Sequence, residues 1–203
     1  MTPVPRPAAF LDRDGTLIEE RSYPTRVEDI VPLPGAGRAL RRLKAAGFLT
    51  IVLTNQSAIA RGMLDEEHLG ALHEHLSGEL AGEGGAIDDV LYCPHHPDGS
   101  NLAYAFRCDC RKPGEGLLAM ALQRHDIDLS RSLFIGDQPR DMFVGAGKVG
   151  GRILVTSGHP IDDTSSADMV APSLEVAVDW LLDGVPDGVA AITPGAAPSD
   201  GAD

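Results

Sequence analysis

The stretch Phe10-Leu11-Asp12-Arg13-Asp14-Gly15-Thr16-Leu17 decides the predicted fold and most of the predicted chemistry of this chain. Its first two residues end an apolar segment of strand length that begins at Ala8. Side chains two residues apart on a strand point the same way, so we expect Asp12 and Asp14 to face one site. Open α/β sheets bind ligands beyond the carboxyl ends of their strands. The stretch therefore predicts a pair of functional carboxylates, the alternative being an ordinary Asp-Gly turn.

The length and composition fit a single globular domain. The chain has 203 residues, of which 43% are hydrophobic and 23% charged, and this length is enough to bury a full core. No apolar run reaches the length of a membrane span, and residues 1–7 lack an apolar signal core, so we expect a cytoplasmic protein without a membrane partner. The net charge of −13 argues against nucleic-acid binding. A phosphorylated substrate stays compatible, because local cations and a metal can dominate a pocket.

Strand-like and helix-like segments alternate along the chain, which predicts a three-layer α/β fold with a mostly parallel sheet. Strands are predicted at 8–11, 49–54, 90–92, 133–135 and 153–155, and helices at 36–46, 65–81, 116–125, 141–149 and 174–182. We expect one domain over residues 1–182. Residues 183–203 contain four Asp and no Lys or Arg, and this composition predicts a disordered acidic tail.

Four polar segments follow predicted strands, and each suits phosphate chemistry. They are Asp12/Asp14, Thr54-Asn55-Gln56-Ser57, Arg111-Lys112-Pro113 and Gly136 to Asp141. Hydroxyls and backbone N–H groups can hold phosphate oxygens, Lys and Arg supply positive charge, and a further carboxylate can complete a Mg²⁺ site. Each segment alone has an ordinary explanation as a turn, a solvated basic pair or a helix cap. Their joint occurrence favours a magnesium-dependent phosphate site.

These segments resemble the motifs of the haloacid-dehalogenase superfamily of phosphatases, in the Asp-x-Asp-Gly-Thr run at 12–16, Thr54, Lys112 and the Gly-Asp-x-x-x-Asp run at 136–141. The resemblance implies a Rossmann-like fold and a covalent aspartyl-phosphate mechanism. By this resemblance Asp12 is the nucleophile and Asp14 the proton donor and acceptor. Thr54 and Lys112 stabilise the phosphoryl group. Mg²⁺ binds Asp12, the backbone carbonyl of Asp14, and Asp137.

Three cysteines and a histidine form a second candidate metal site. Cys93-Pro94-His95 and Cys108-Asp109-Cys110 lie at either end of a loop, and three thiolates with one imidazole are a common structural zinc set. His96 could replace His95, although the spacing favours His95. The alternative is three unrelated reduced cysteines. A zinc loop at 92–112 would deliver Arg111 and Lys112 to the phosphate site.

The zinc loop narrows the resemblance to the heptose bisphosphate phosphatases and the related histidinol-phosphate phosphatases. The long loop, with His96-Pro97-Asp98-Gly99, is similar to that of the heptose enzymes. The implied activity is Mg²⁺-dependent removal of the 7-phosphate of D-glycero-D-manno-heptose 1,7-bisphosphate. We expect the protein to be a monomer. Histidinol-phosphate phosphatase, another small sugar-phosphate phosphatase and a zinc-stabilised binding protein are the alternatives. The implied substrate-binding residues are Arg13, Glu20, Arg21, Ser22, Tyr23, Asn55, Gln56, Ser57 and Arg111.

Two further expectations concern the surroundings of the site. Only the stretches 19–33 and 92–112 are available to cover it, so we expect a minimal cap and an open pocket. The histidines of the second predicted helix, His68, His73 and His75, are expected to be exposed to solvent. His125 and His159 are given no role.

Overall fold

Six strands form one parallel sheet whose two halves wind in opposite directions from its centre. The computed structural model describes residues 4–184, and the sheet order is β3-β2-β1-β4-β5-β6. After β3 the chain crosses back over the sheet to β4, so β1 and β4 are neighbours at the topological switch point, where such sheets bind ligands. The strands are β1 (Ala8–Leu11), β2 (Leu49–Asn55), β3 (Asp89–Cys93), β4 (Leu133–Gly136), β5 (Gly151–Val155) and β6 (Met169–Ala171).

Helices cover both faces of the sheet and complete the three layers. They are α1 (Ala36–Ala45), α2 (Glu66–Ala81), α3 (Gly116–Arg124) and α4 (Leu174–Asp183). Successive residues of β1 enter different cores: Ala9 and Leu11 pack with α1, α2 and α4, whereas Ala8 and Phe10 pack with α3. Burial on both faces explains why the strands are continuous apolar runs. The predicted α/β class is confirmed, and every strand pair is parallel.

The predicted helix over 141–149 is wrong. The structure has a short 3₁₀ helix at Pro139–Phe143, followed by turns. Gly145 and Gly147 adopt positive φ angles of 68° and 74°, a conformation that ends a right-handed helix. Strand β6 was not predicted, because it has only three residues and exposes its central Val170.

The chain over the site forms a small cover, in agreement with the expected minimal cap. Between β1 and α1 the only helical segment is one 3₁₀ turn at Val27–Asp29, and Ile18 pairs with Pro32 to close the base of this excursion. At the other end of the domain, α4 continues to Asp183, which pairs with Arg42. Residues 185–203 of the predicted acidic tail lie outside the described residues. Within residues 4–184, no helix combines the length and apolar character needed to cross a bilayer.

Candidate active site

Asp12 and Asp14 leave the end of β1 at the centre of the sheet. The backbone N–H of Asp12 donates to the carbonyl of Ile135 at 2.9 Å, which extends the β1–β4 pairing up to the site. Gly15 then turns the chain with φ of 75°. A Cβ at that position would lie 2.3 Å from an oxygen of Asp137, so only glycine lets the two strand ends approach this closely.

Lys112 provides a buried positive charge beneath these carboxylates. Its side chain is fully buried, and Nζ lies 2.9 Å from Asp12 Oδ1 and 2.8 Å from Asp141 Oδ1. Burial on its own would lower the pKa of Lys112, but the two carboxylates outweigh it and raise that pKa. Lys112 is therefore a fixed cation under the predicted nucleophile.

Asp137 and Asp141 follow β4, on the neighbouring strand end. Both are buried, and ligand oxygens of Asp12, Asp137 and Asp141 lie within 4.8 Å of one another. Burial, and then the charge of Asp12, raise the pKa of Asp137. Burial raises the pKa of Asp141 to about 6, against the lowering effect of Lys112. Asp141 also accepts from the N–H of Gln138 at 3.2 Å, so it anchors the 3₁₀ helix as well as Lys112.

The Thr54 segment approaches from the end of β2. The amide of Gln56 donates to Asp14 Oδ2 at 3.0 Å and to Thr54 Oγ1 at 2.8 Å. Asn55 exchanges two hydrogen bonds with the backbone of Lys112: its amide donates to the carbonyl at 3.1 Å and its Oδ1 accepts from the N–H at 2.9 Å. The side chain of Asn55 thus fixes the exit of the zinc loop beside the site.

A cavity of about 410 Å³ opens above these groups. Its lining includes every residue predicted to bind substrate, together with Asp12, Asp14, Thr54 and Asp137. Burial, and then the charge of Asp14, raise the pKa of Glu20. Burial and the charge of the nearby Arg140 lower the pKa of Arg111. The cavity therefore has an acidic floor and cationic side chains on its wall.

Two side chains with a predicted substrate contact are engaged elsewhere. The side chain of Arg13 is fully buried against Asp14, so its guanidinium could reach a sugar only by leaving that carboxylate. The amide of Asn55 is occupied by Lys112. For both residues the structure favours a role in orienting catalytic groups.

Residues that were not predicted to bind substrate also line the cavity. Pro24, Ala58, Gln138, Arg140 and His159 line the cavity. His159, in the loop after β5, lies with Nδ1 at 2.7 Å from Asp137 Oδ2 and Nε2 at 3.7 Å from Glu20. Arg140 lies inside the Asp137–Asp141 segment, so its place at the cavity was predictable from its position in the sequence. His159 belongs to no motif, so its place at the cavity was not predictable from the sequence.

The expectation that His73 is exposed is wrong, since its residue is only 8% exposed. Its position on α2 faces the sheet, where the apolar residues of the helix also point. The reason is a contact 60 residues away in sequence: His73 Nε2 lies 3.2 Å from a nitrogen of Arg13. A periodic pattern on one helix carries no information about such a partner.

Cys93, His95, Cys108 and Cys110 converge as the zinc hypothesis requires. The three sulfur atoms are 3.2–3.5 Å apart, and His95 Nδ1 lies 3.3 and 3.7 Å from two of them. A tetrahedral ion with metal–sulfur bonds of about 2.3 Å holds its ligands roughly 3.7 Å apart, so the donor set fits zinc. His96 is not part of this cluster, and its Nδ1 accepts from the N–H of Asp98.

The fold and the site together define a class. A parallel sheet of this strand order, with two aspartates after β1, a buried lysine and acidic residues after β4, is the architecture of haloacid-dehalogenase-like hydrolases. The HAD-hydrolase-like family profile matches residues 109–182.

Similar proteins agree with this class. The chain is 38% identical to D-glycero-beta-D-manno-heptose-1,7-bisphosphate 7-phosphatase of Yersinia pestis, over 89% of this chain and 92% of that protein. It is 39% identical to the enzyme of the same name from Escherichia coli K12, over 89% and 91%. The D,D-heptose 1,7-bisphosphate phosphatase of B. bronchiseptica, solved with magnesium and phosphate, superposes with a TM-score of 0.76 at 30% identity, covering 88% and 99%. The chain belongs to this family of heptose bisphosphate phosphatases within the HAD-like hydrolases.

Proposed function

We propose that this protein removes the 7-phosphate of D-glycero-D-manno-heptose 1,7-bisphosphate in a Mg²⁺-dependent reaction, through a phosphorylated Asp12. The observation that carries the proposal is the convergence of Asp12 and Asp14 on one cavity, with Lys112 buried 2.9 Å from Asp12. The relatives of 38–39% identity support the choice of substrate. The reduced thiols of the zinc cluster fit a cytoplasmic location.

Asp12 and Asp14 divide the chemistry between them. Asp12 attacks phosphorus and forms the aspartyl phosphate, while the bond from phosphorus to the sugar oxygen breaks and Asp14 gives that oxygen a proton. In the second step a water attacks phosphorus and Asp14 takes its proton. The phosphate leaves, and Asp12 is free again. Each step is easier than direct hydrolysis of the ester.

Lys112 and Thr54 stabilise the charge that develops on the phosphoryl group. Phosphoryl transfer leaves little covalent work to the protein, so fixed charges and hydrogen-bond donors give most of the acceleration. Lys112 is held by Asp12 and Asp141, and Thr54 is buried beside Gln56. Neither group has to reorganise during the reaction.

The acidic floor suits a hard cation. Burial, and then the charge of Asp12, raise the pKa of Asp137, and the three carboxylates at this point share one buried cation, Lys112. We propose that Asp12, Asp137 and the backbone carbonyl of Asp14 hold Mg²⁺, an ion that prefers oxygen ligands. When bound, Mg²⁺ neutralises negative charge on the transferred group.

The second phosphate of the substrate needs cations on the cavity wall. Arg111 follows Cys110 directly, and its guanidinium NH1 nitrogen donates to the carbonyl of His95 at 3.3 Å. The proximity of Arg140, which helps to lower the pKa of Arg111, is unfavourable until an anion lies between them. We therefore propose Arg111, with Arg140 beside it, as the binding site of the distal phosphate.

Phosphate release with Mg²⁺ tests the proposal on four substrates: the α and β anomers of the heptose 1,7-bisphosphate, fructose 1,6-bisphosphate and histidinol phosphate. We expect a strong preference for one heptose anomer, and loss of turnover in Asp12→Asn. Faster release from histidinol phosphate would contradict the substrate assignment. The absence of Mg²⁺-dependent release from any of the four would support a binding protein instead.

A further inference from the structure

Arg13 binds Asp14, the proposed acid–base residue, from the protein interior. Its Nε donates to Asp14 Oδ2 at 3.0 Å and its NH2 nitrogen donates to Oδ1 at 2.9 Å. This two-point contact fixes both the position and the plane of the carboxylate. Because the Arg13 side chain has no exposed surface, the contact is part of the protein interior.

His73 holds the opposite side of the same guanidinium. The NH1 nitrogen of Arg13 lies 3.2 Å from His73 Nε2, on helix α2. Burial, and then the charge of Arg13, lower the pKa of His73 to about 3. The imidazole is therefore neutral near pH 7, and Nε2 accepts the hydrogen bond from Arg13.

We propose that His73 is a positioning residue for phosphoryl transfer: its Nε2 holds Arg13, and Arg13 holds Asp14 where it can protonate the leaving oxygen. This inference rests on the proposed function. His73 contacts NH1, the one guanidinium nitrogen of Arg13 that does not bond to Asp14, so the guanidinium is held on α2 independently of its contact with the carboxylate. Gln56, at 3.0 Å from Asp14 Oδ2, supports the carboxyl group from the cavity side.

The decisive comparison is between His73→Leu and His73→Gln. Leucine removes the acceptor, whereas the glutamine carbonyl can replace Nε2 as a partner of Arg13. We expect His73→Leu to lower kcat/KM for the heptose bisphosphate by about 10²-fold, as for a displacement of about 1 Å. His73→Gln should recover most of this loss. His68→Leu, at an exposed position of the same helix, is the matched control and should retain wild-type activity.

Substrates with different leaving groups distinguish a positioning role of His73 from a simple loss of protein stability. 4-Nitrophenolate departs without a proton, so His73→Leu should lower kcat/KM for 4-nitrophenyl phosphate by less than about threefold. Arg13→Lys keeps the charge but loses the two-point contact, and it should show the same selective loss if His73→Leu does not fold. Equal losses on both substrates, or a glutamine variant no better than leucine, would overturn the inference.

Asp14→Asn distinguishes this inference from the proposed function. If Asp14→Asn keeps full activity on the heptose bisphosphate, the proposed acid–base role is wrong and the inference falls with it. If Asp14→Asn is inactive while His73→Leu is unchanged, only the role of His73 is contradicted.

Discussion

At the scale of a residue, we expect Lys112 to contribute to both stability and catalysis. Replacing it by methionine keeps the side-chain length but leaves Asp12 and Asp141 as buried carboxylates without their cation. Breaking one partner of a buried ion pair costs about 3–5 kcal/mol. We expect Lys112→Met to lower the free energy of unfolding by about this amount, measured in urea, and to reduce kcat by at least about 10²-fold.

The double variant Lys112→Met/Asp141→Asn separates the two effects. Removing one of the unpaired carboxylates should restore part of the stability, while activity stays lost because the phosphoryl group still lacks its cation. Recovery of activity in the double variant would contradict the assignment of Lys112.

Asn55 offers a test of how Lys112 is placed. The side chain makes two hydrogen bonds to the Lys112 backbone, so Asn55→Ala should release the segment that carries the lysine. We expect kcat to fall about tenfold, with a smaller change in KM, because misplaced catalytic groups act mainly on the chemical step. Asn101→Ala, in the same long loop but bonded locally to Ala103, is the control. A pure KM effect in Asn55→Ala would instead favour direct contact with the substrate.

At the scale of an element, the zinc loop connects the proposed zinc site to Lys112, the proposed catalytic lysine. Arg111 and Lys112 follow Cys110 directly. Loss of zinc should therefore displace these two residues and lower activity, although zinc itself has no contact with the substrate. We expect His95→Ala to lose zinc and most activity, and His96→Ala to retain about one zinc ion per chain by metal analysis. Trypsin should cleave the zinc-free loop at the exposed Arg107. After a chelator has removed zinc selectively from the wild-type protein, added Zn²⁺ should restore its activity, whereas added Mg²⁺ should not.

The elements themselves differed in how well the sequence predicts them. Strands such as β2 are buried on both faces, so each appears as an uninterrupted apolar run. The 141–149 segment has helical periodicity, but Gly145 and Gly147 occupy conformations that a helix excludes. Motif residues such as Asp137 were predictable because their strand ends meet by topology. His73 and His159 were not, because their partners lie 60 and 22 residues away and no local pattern encodes such a contact.

At the scale of the whole molecule, the sheet order gathers the site from distant parts of the chain. β1 and β4 pair at Leu11 and Ile135, which brings Asp12 beside Asp137. α2 lies against the sheet through Leu72 and Leu76, and this packing places His73 behind the site. The network from α2 through Arg13 to Asp14 is therefore built by the same contacts that stabilise the fold. Stability and catalysis should respond together when His73 changes its charge.

The pH dependence of folding follows from His73. Its folded pKa of about 3 lies below the ordinary value of 6.5, so between these values the unfolded chain binds a proton that the folded chain excludes. The stabilisation is complete above about pH 6.5 and is lost as the pH falls toward 3, by about 1.4 kcal/mol per pH unit.

From pH 7 to 5, wild type should lose roughly 2 kcal/mol more unfolding free energy than His73→Gln. His68→Gln, exposed on the same helix, should follow wild type. Parallel pH curves for wild type and His73→Gln would mean that His73 takes up a proton as readily in the folded protein as in the unfolded chain. That result would contradict a buried imidazole in contact with the Arg13 guanidinium.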